Sequence, residues 1–113
     1  NLKKLDFKKS FLSDIRDIYN EKLGYNNISL ESGDGYKGLE KEAPFDRIII
    51  TAAPEEVPDK LLAQLNIGGI MVVPIGKQFE VQHLWVIKKD IDGSLSKEKV
   101  LPVGFVPMVK KNN

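Results

Sequence analysis

The sequence predicts an α/β fold, with a parallel sheet finished by antiparallel strands at one edge. Three observations predict it. Ile48-Ile49-Ile50 and residues 70–74 are continuous apolar runs, the pattern of parallel strands covered on both faces. Stretches with helical spacing precede and separate them. The last third of the chain alternates apolar and polar residues around Asp92-Gly93, a hairpin signal. Strands apolar on both sides need covering layers on both sides, and only two substantial helices are legible. The sheet therefore reads as half of a doubly wound fold, with the other half expected N-terminal to Asn1.

Each element follows from local pattern. Phe11, Leu12, Ile15, Ile18, Tyr19 and Leu23 form one helical stripe over residues 7–23, and Gly24 suits a left-handed C-terminal cap. Ile28 and Leu30 alternate with polar neighbours, which makes 27–32 a strand. Gly33-Asp34-Gly35 ends it, and residues 36–45 form a polar loop. Residues 46–51 are the buried strand. Pro58 fits the first turn of a short helix, where its missing N–H costs nothing. Leu61, Leu62 and Leu65 give that helix its buried stripe, and residues 66–69 end it. The strand at 70–74 turns at Pro74-Ile75-Gly76. Residues 81–88 alternate, and 97–109 is extended, interrupted by Pro102, Gly104 and Pro107.

The bulk numbers bound the function. With 113 residues the chain makes one domain, residues 1–113, and here a partial one. A net charge of +1, from 17 basic and 16 acidic residues spread along the chain, gives no stripe for nucleic acid. No apolar run reaches the length of a membrane span, and no secretory leader pattern is present. The absence of cysteine excludes disulfides and thiolate metal sites and fits a cytoplasmic setting. No repeat, low-complexity tract or linker divides the chain.

Ligands of open α/β sheets bind at the carboxyl ends of the strands. Asp34 and Thr51 both fall at such ends, so residues 32–57 are expected to form one wall of a ligand site. On the residues alone, Asp34 reads first as a turn aspartate bonding its own loop. The small residues Thr51, Ala52 and Ala53 either leave room for a ligand or pack closely against a neighbouring loop. Phe105-Val106-Pro107 reads equally as a site border or as an edge strand carrying a proline.

The run GDGYKG, then EAPFDRIIITAAPEEVPDKLLAQLNIGGIMVVPIG, then DGSLSKEKVLPVGFVPMV, resembles the C-terminal half of the protein-L-isoaspartate O-methyltransferase family. The resemblance spans roughly residues 11–109, and it rests on the order and spacing of the pieces rather than on any one of them. It implies the C-terminal half of a doubly wound, Rossmann-like methyltransferase fold dependent on S-adenosyl-L-methionine. It also implies methylation of the α-carboxylate of L-isoaspartyl (or D-aspartyl) residues in damaged proteins, a protein-repair activity. Under the resemblance Asp34 accepts a hydrogen bond from the adenine amine, with Gly35 allowing close approach. Thr51, Ala52, Ala53, Val106 and Pro107 then border the substrate peptide.

The sequence departs from the family at several points. It contains no GxGxxG-type loop, and the family's serine or threonine beside the transferred methyl has no counterpart here. Asp6 is a weak substitute for the ribose-binding acid. Glu55-Glu56 adds a charge to the loop after the strand, and Gly104 stands where family members often carry arginine. The 113 residues alone are therefore expected to be inactive, with catalytic residues and metal ligands absent from them. The alternative is a non-catalytic remnant or interaction module that self-associates or pairs with the missing N-terminal half. Asp46 reads as structural, Glu55 and Glu56 as solvated, and His83 and Trp85 as packed strand residues.

Overall fold

The computed structural model describes Ser29 and residues 31–110. The expected helix over 7–23, residues 27, 28 and 30 of the expected strand over 27–32, and Asp6 lie outside those residues; Ser29, Glu31 and Ser32 are described and lie in no strand. The chain divides into two units between Gly33 and Asp34, and the second, Asp34–Asn113, carries every element that follows.

Strand β1 (Phe45–Ile49) is followed by helix α1 (Asp59–Ala63) and strands β2 (Leu65–Ile75), β3 (Gln82–Lys89) and β4 (Leu95–Val103). The sheet order is β1-β2-β3-β4. β1 runs parallel to β2, and the β2–β3 and β3–β4 pairs are antiparallel. This is the expected architecture of parallel strands with an antiparallel edge. The crossover from β1 to β2 contains α1, as a parallel pair requires. The β3–β4 hairpin turns where Asp92-Gly93 predicted it: Gly93 has φ +86°, and the Asp90 N–H donates to the Ser94 carbonyl at 2.8 Å. The Ser94 hydroxyl and N–H both donate to the Asp92 carboxylate, at 2.6 and 2.9 Å. Those bonds, the hydroxyl's first, hold the Asp92 carboxyl below the usual aspartate range.

Two expectations need correction. Leu65 belongs to β2, not to α1, and residues 66–69 are not a helix end. The reason is the β1 pairing: Phe45 pairs with Leu65 and Arg47 with Ile70, so residues 66–69 bulge opposite Asp46 alone. Gly68, at φ +80°, allows that bulge. The helix stops early because Gln64 closes it, its N–H donating to the Lys60 and Leu61 carbonyls, while its own carbonyl accepts from Phe45 at 2.7 Å. Lys89 Nζ adds a 2.7 Å bond to the Leu62 carbonyl near the helix C-terminus.

The second correction concerns Ile48-Ile49-Ile50. Ile48 pairs with Met71 and faces the core with Ile50, whereas Ile49 is 74 % exposed. Strand alternation explains the split: successive side chains leave on opposite faces. The core lies on the α1 face, where Met71, Val73 and Ile87 are fully buried with Leu61 and Leu65. The register Met71–Ile87 and Val73–Trp85 brings those side chains together across β2 and β3.

Candidate functional site

The loop carrying Asp34 is built around two local devices. Asp34 caps the 3-10 turn Gly35–Lys37, its Oδ1 accepting from the Tyr36 N–H at 3.0 Å. That bond uses one carboxylate oxygen and leaves Oδ2 for a further donor. The far end of the loop is held by the buried Gln64. Its Oε1 accepts from Leu39 N–H at 2.8 Å, and its Nε2 donates to the Lys37 carbonyl at 2.8 Å. Gly38 lies between those two contacts with φ +65°, and a Cβ there would meet the Gln64 amide. A glycine is therefore required, by both conformation and space.

The segment after β4 returns across the carboxyl end of the sheet. Gln82, buried at the start of β3, donates from Nε2 to the Phe105 carbonyl at 2.9 Å and accepts from the Phe105 N–H at 2.7 Å. Pro107 then forms a parallel bridge with Ala53. The Ala53 N–H donates to the Val106 carbonyl and the Met108 N–H donates to the Ala53 carbonyl, each at 2.8 Å. The Tyr36 hydroxyl completes the closure by donating to the Met108 carbonyl at 3.0 Å.

The structure thus brings the three predicted segments together. Asp34 and Gly35, residues 51–53, and residues 105–108 meet at the carboxyl end of β1, linked through Tyr36 and Ala53. Thr51 is exposed and Ala52 half-buried beside the half-exposed Val106 and the half-buried Pro107. Two details differ from the expectation. Ala53 is 2 % exposed with both backbone groups bonded to its own chain, so it docks the C-terminal segment rather than offering a free edge. The space over Gly35 is taken by Met108, whose Cε would lie 3.0 Å from a Cβ built there.

Tyr36, Gln64 and Gln82 were not singled out by sequence reasoning. Glutamine amides carry no periodic signal; the only hint was a long polar residue inside otherwise apolar stretches. The Tyr36 phenol is pushed above its usual range, first by burial and then by the nearby Glu55 and Asp34 carboxylates. Lys110 places its ammonium 5.6 Å from the Tyr36 ring centroid. A separate depression of about 380 Å³ lies between α1 and β3, edged by Glu55, Asp59, Trp85 and Lys97, and contains none of the expected site residues. Among the described residues, no group of three or more His, Asp or Glu is placed to hold a metal ion, and no helix is long and apolar enough to cross a membrane.

A parallel pair continued by an antiparallel edge, with a Gly-Asp-Gly loop at the carboxyl end, defines part of a Rossmann-like methyltransferase fold. The chain belongs to the protein-L-isoaspartate(D-aspartate) O-methyltransferase (PCMT) family, whose model matches residues 9–113. It is 48 % identical over 88 residues to protein-L-isoaspartate O-methyltransferase 2 of Polaromonas sp., covering 78 % of this chain and 42 % of that protein. It is 45 % identical over 92 residues to protein-L-isoaspartate O-methyltransferase 1 of Cupriavidus necator, covering 81 % of this chain and 36 % of that one. Among solved structures, it is similar to the beta-aspartate methyltransferase (PCMT) of Plasmodium falciparum in complex with S-adenosyl-L-homocysteine. That match has a TM-score of 0.71 and 25 % identity, and covers 92 % of this chain and 50 % of the other. The chain spans less than half the length of the two curated relatives.

Proposed function

We propose that the intact protein containing this chain transfers a methyl group from S-adenosyl-L-methionine to the α-carboxylate of L-isoaspartyl (or D-aspartyl) residues in damaged proteins. Isoaspartyl-containing proteins or peptides are then its substrates. The observation that carries this reading is the convergence of the Asp34 loop and the residue 105–108 segment on one strand end, in a chain of this family.

The chemistry matches the residues. The acceptor carboxylate is ionised near neutral pH, so it needs no base. S-adenosyl-L-methionine, when bound, supplies an electrophilic methyl on a sulfonium. What this chain contributes is positioning. Asp34 Oδ2 is the acceptor suited to the adenine amine, while Oδ1 keeps the loop in shape through Tyr36. Because Met108 covers Gly35, the ring is expected to meet the Asp34 edge of the loop rather than the Gly35 face. Thr51, Ala52, Val106 and Pro107 border the peptide, and Ala53 holds that border in place. The residues for the methionine end of the cofactor are not found in this chain, so residues 1–113 are insufficient for transfer by themselves.

Calorimetry with S-adenosyl-L-homocysteine and a methyl-transfer assay on paired isoaspartyl and aspartyl peptides test the reading in the full-length protein. The isoaspartyl peptide alone should be methylated. Asp34→Asn should weaken cofactor binding about tenfold, the loss of one charge-assisted bond of about 1.4 kcal/mol. A full-length protein that binds neither ligand favours the interaction-module alternative and sinks this one.

A further inference from the structure

Gln82 opens β3, is 5 % exposed, and bonds the backbone of one residue with both ends of its side-chain amide, donating to the Phe105 C=O and accepting from the Phe105 N–H. Its stem is also fixed. A Cβ on Gly76 would lie 2.8 Å from Gln82 Cα and 2.9 Å from its Cγ, so the β2–β3 turn closes directly onto it. Nothing lies within 4 Å of the space beside Gly104, and β4 pairing ends at Val103. The segment leaving the sheet is therefore steered by two anchors: the Gln82 amide at Phe105, and Ala53 at Val106 and Met108. Val106, 48 % exposed, follows the first anchor directly and takes part in the second through its carbonyl. An amide that both donates to and accepts from one irregular residue sets that residue's height as a neighbouring strand would.

We propose that Gln82 is a positioning residue for the acceptor side of the site, fixing Val106 and Pro107 against the isoaspartyl residue. This rests on the functional reading above. Gln64 provides the built-in comparison. It grips the loop of Asp34 in the same two-bond manner, but on the cofactor side. Both side chains are buried to a similar degree, so the two substitutions are matched in burial while the proposal expects them to affect different ligands.

The test uses the full-length protein with Gln82→Leu, Gln82→Glu and Gln64→Leu. The readouts are kcat and KM for an isoaspartyl peptide at saturating S-adenosyl-L-methionine, and Kd for S-adenosyl-L-homocysteine by calorimetry. Gln82→Leu should lower kcat/KM for the peptide by about 100-fold, the scale of a displacement of about 1 Å at a reacting centre, with Kd unchanged. Gln64→Leu should raise Kd and leave the peptide KM unchanged. Gln82→Glu keeps the acceptor for the Phe105 N–H but sets a carboxylate oxygen against the Phe105 carbonyl, so its kcat/KM should also fall below wild type. A Gln82→Leu protein with wild-type kcat/KM, or one that weakens both ligands equally, overturns the proposal. Should Gln82→Leu fail to fold, Gln82→Glu decides, and wild-type kinetics there overturn it as well. A wild-type protein inert toward isoaspartyl peptide overturns the functional reading and this proposal together; an active wild type with indifferent Gln82 variants overturns the proposal alone.

Discussion

Gly38→Ala is the sharpest probe of how the Asp34 loop is held. Gly38 has φ +65° and ψ −148°, a region occupied almost only by glycine, and forcing an alanine there costs about 1–3 kcal/mol. The new Cβ would also lie 2.7 Å from Gln64 Cδ, so the amide must swing away. That breaks its 2.8 Å bonds to Leu39 and Lys37, each contributing about 0.5–1.5 kcal/mol net. The combined loss is about 4 kcal/mol from these two sources. Equilibrium urea unfolding of the full-length protein, followed by circular dichroism, should show the midpoint falling by about 2 M for a slope near 2 kcal/mol/M. A double-mutant cycle with Gln64→Ala separates the contributions. Once the amide is gone, alanine at 38 loses its clash with Gln64 and has no Gln64 bonds left to break, so the double mutant should be more stable than the sum of the single losses predicts, by more than about 0.5 kcal/mol. Strict additivity, or a Gly38→Ala midpoint equal to wild type, would refute the reasoning.

Two further outcomes follow from the same structure. Met71 is fully buried at the centre of the core, so Met71→Ala should cost about 2–5 kcal/mol in the same unfolding experiment. Tyr36 has a raised pKa, so the folded state holds its proton more tightly than the unfolded state does. The stability this gives is fully present below the free tyrosine value of about 10 and is lost as pH rises through the higher folded value. The stability difference between wild type and Tyr36→Phe should therefore shrink in alkaline solution, measured as unfolding midpoints across a pH series; a constant difference would contradict the raised pKa of the phenol.

What the sequence made legible was governed by periodicity. The run at Ile48-Ile49-Ile50 placed β1, the alternation around Asp92-Gly93 placed the hairpin, and Leu61 placed the short helix. Where periodicity was ambiguous, the reading slipped. Leu65 continues the leucine spacing of α1 but belongs to β2, because the bond from Phe45 N–H to the Gln64 carbonyl starts strand pairing there. Ile49 belongs to a run apolar on every position, which says nothing about whether each face is covered, and its face is open. The candidate segments were legible and the connections between them were not. Asp34, residues 51–53 and Val106-Pro107 were each singled out as candidates, but the bonds that bring them together run through Tyr36 and the Ala53 backbone, with Gln64 and Gln82 holding the flanking segments. Such contacts link residues far apart in the chain, and no local pattern encodes them.

The return of residues 105–108 to Ala53 also sets an order of assembly. β4 lies at the edge of the sheet farthest from β1, yet the stretch after it closes on the loop just beyond β1. Pairings this remote in sequence carry a high loop-closure cost and form late. During synthesis, the strand end and the Asp34 loop emerge long before the segment that completes them. Residues 105–108 can close on Ala53 only after the whole hairpin has been made, so a chain interrupted anywhere in the hairpin would keep the Asp34 loop and lack the segment that docks beside it.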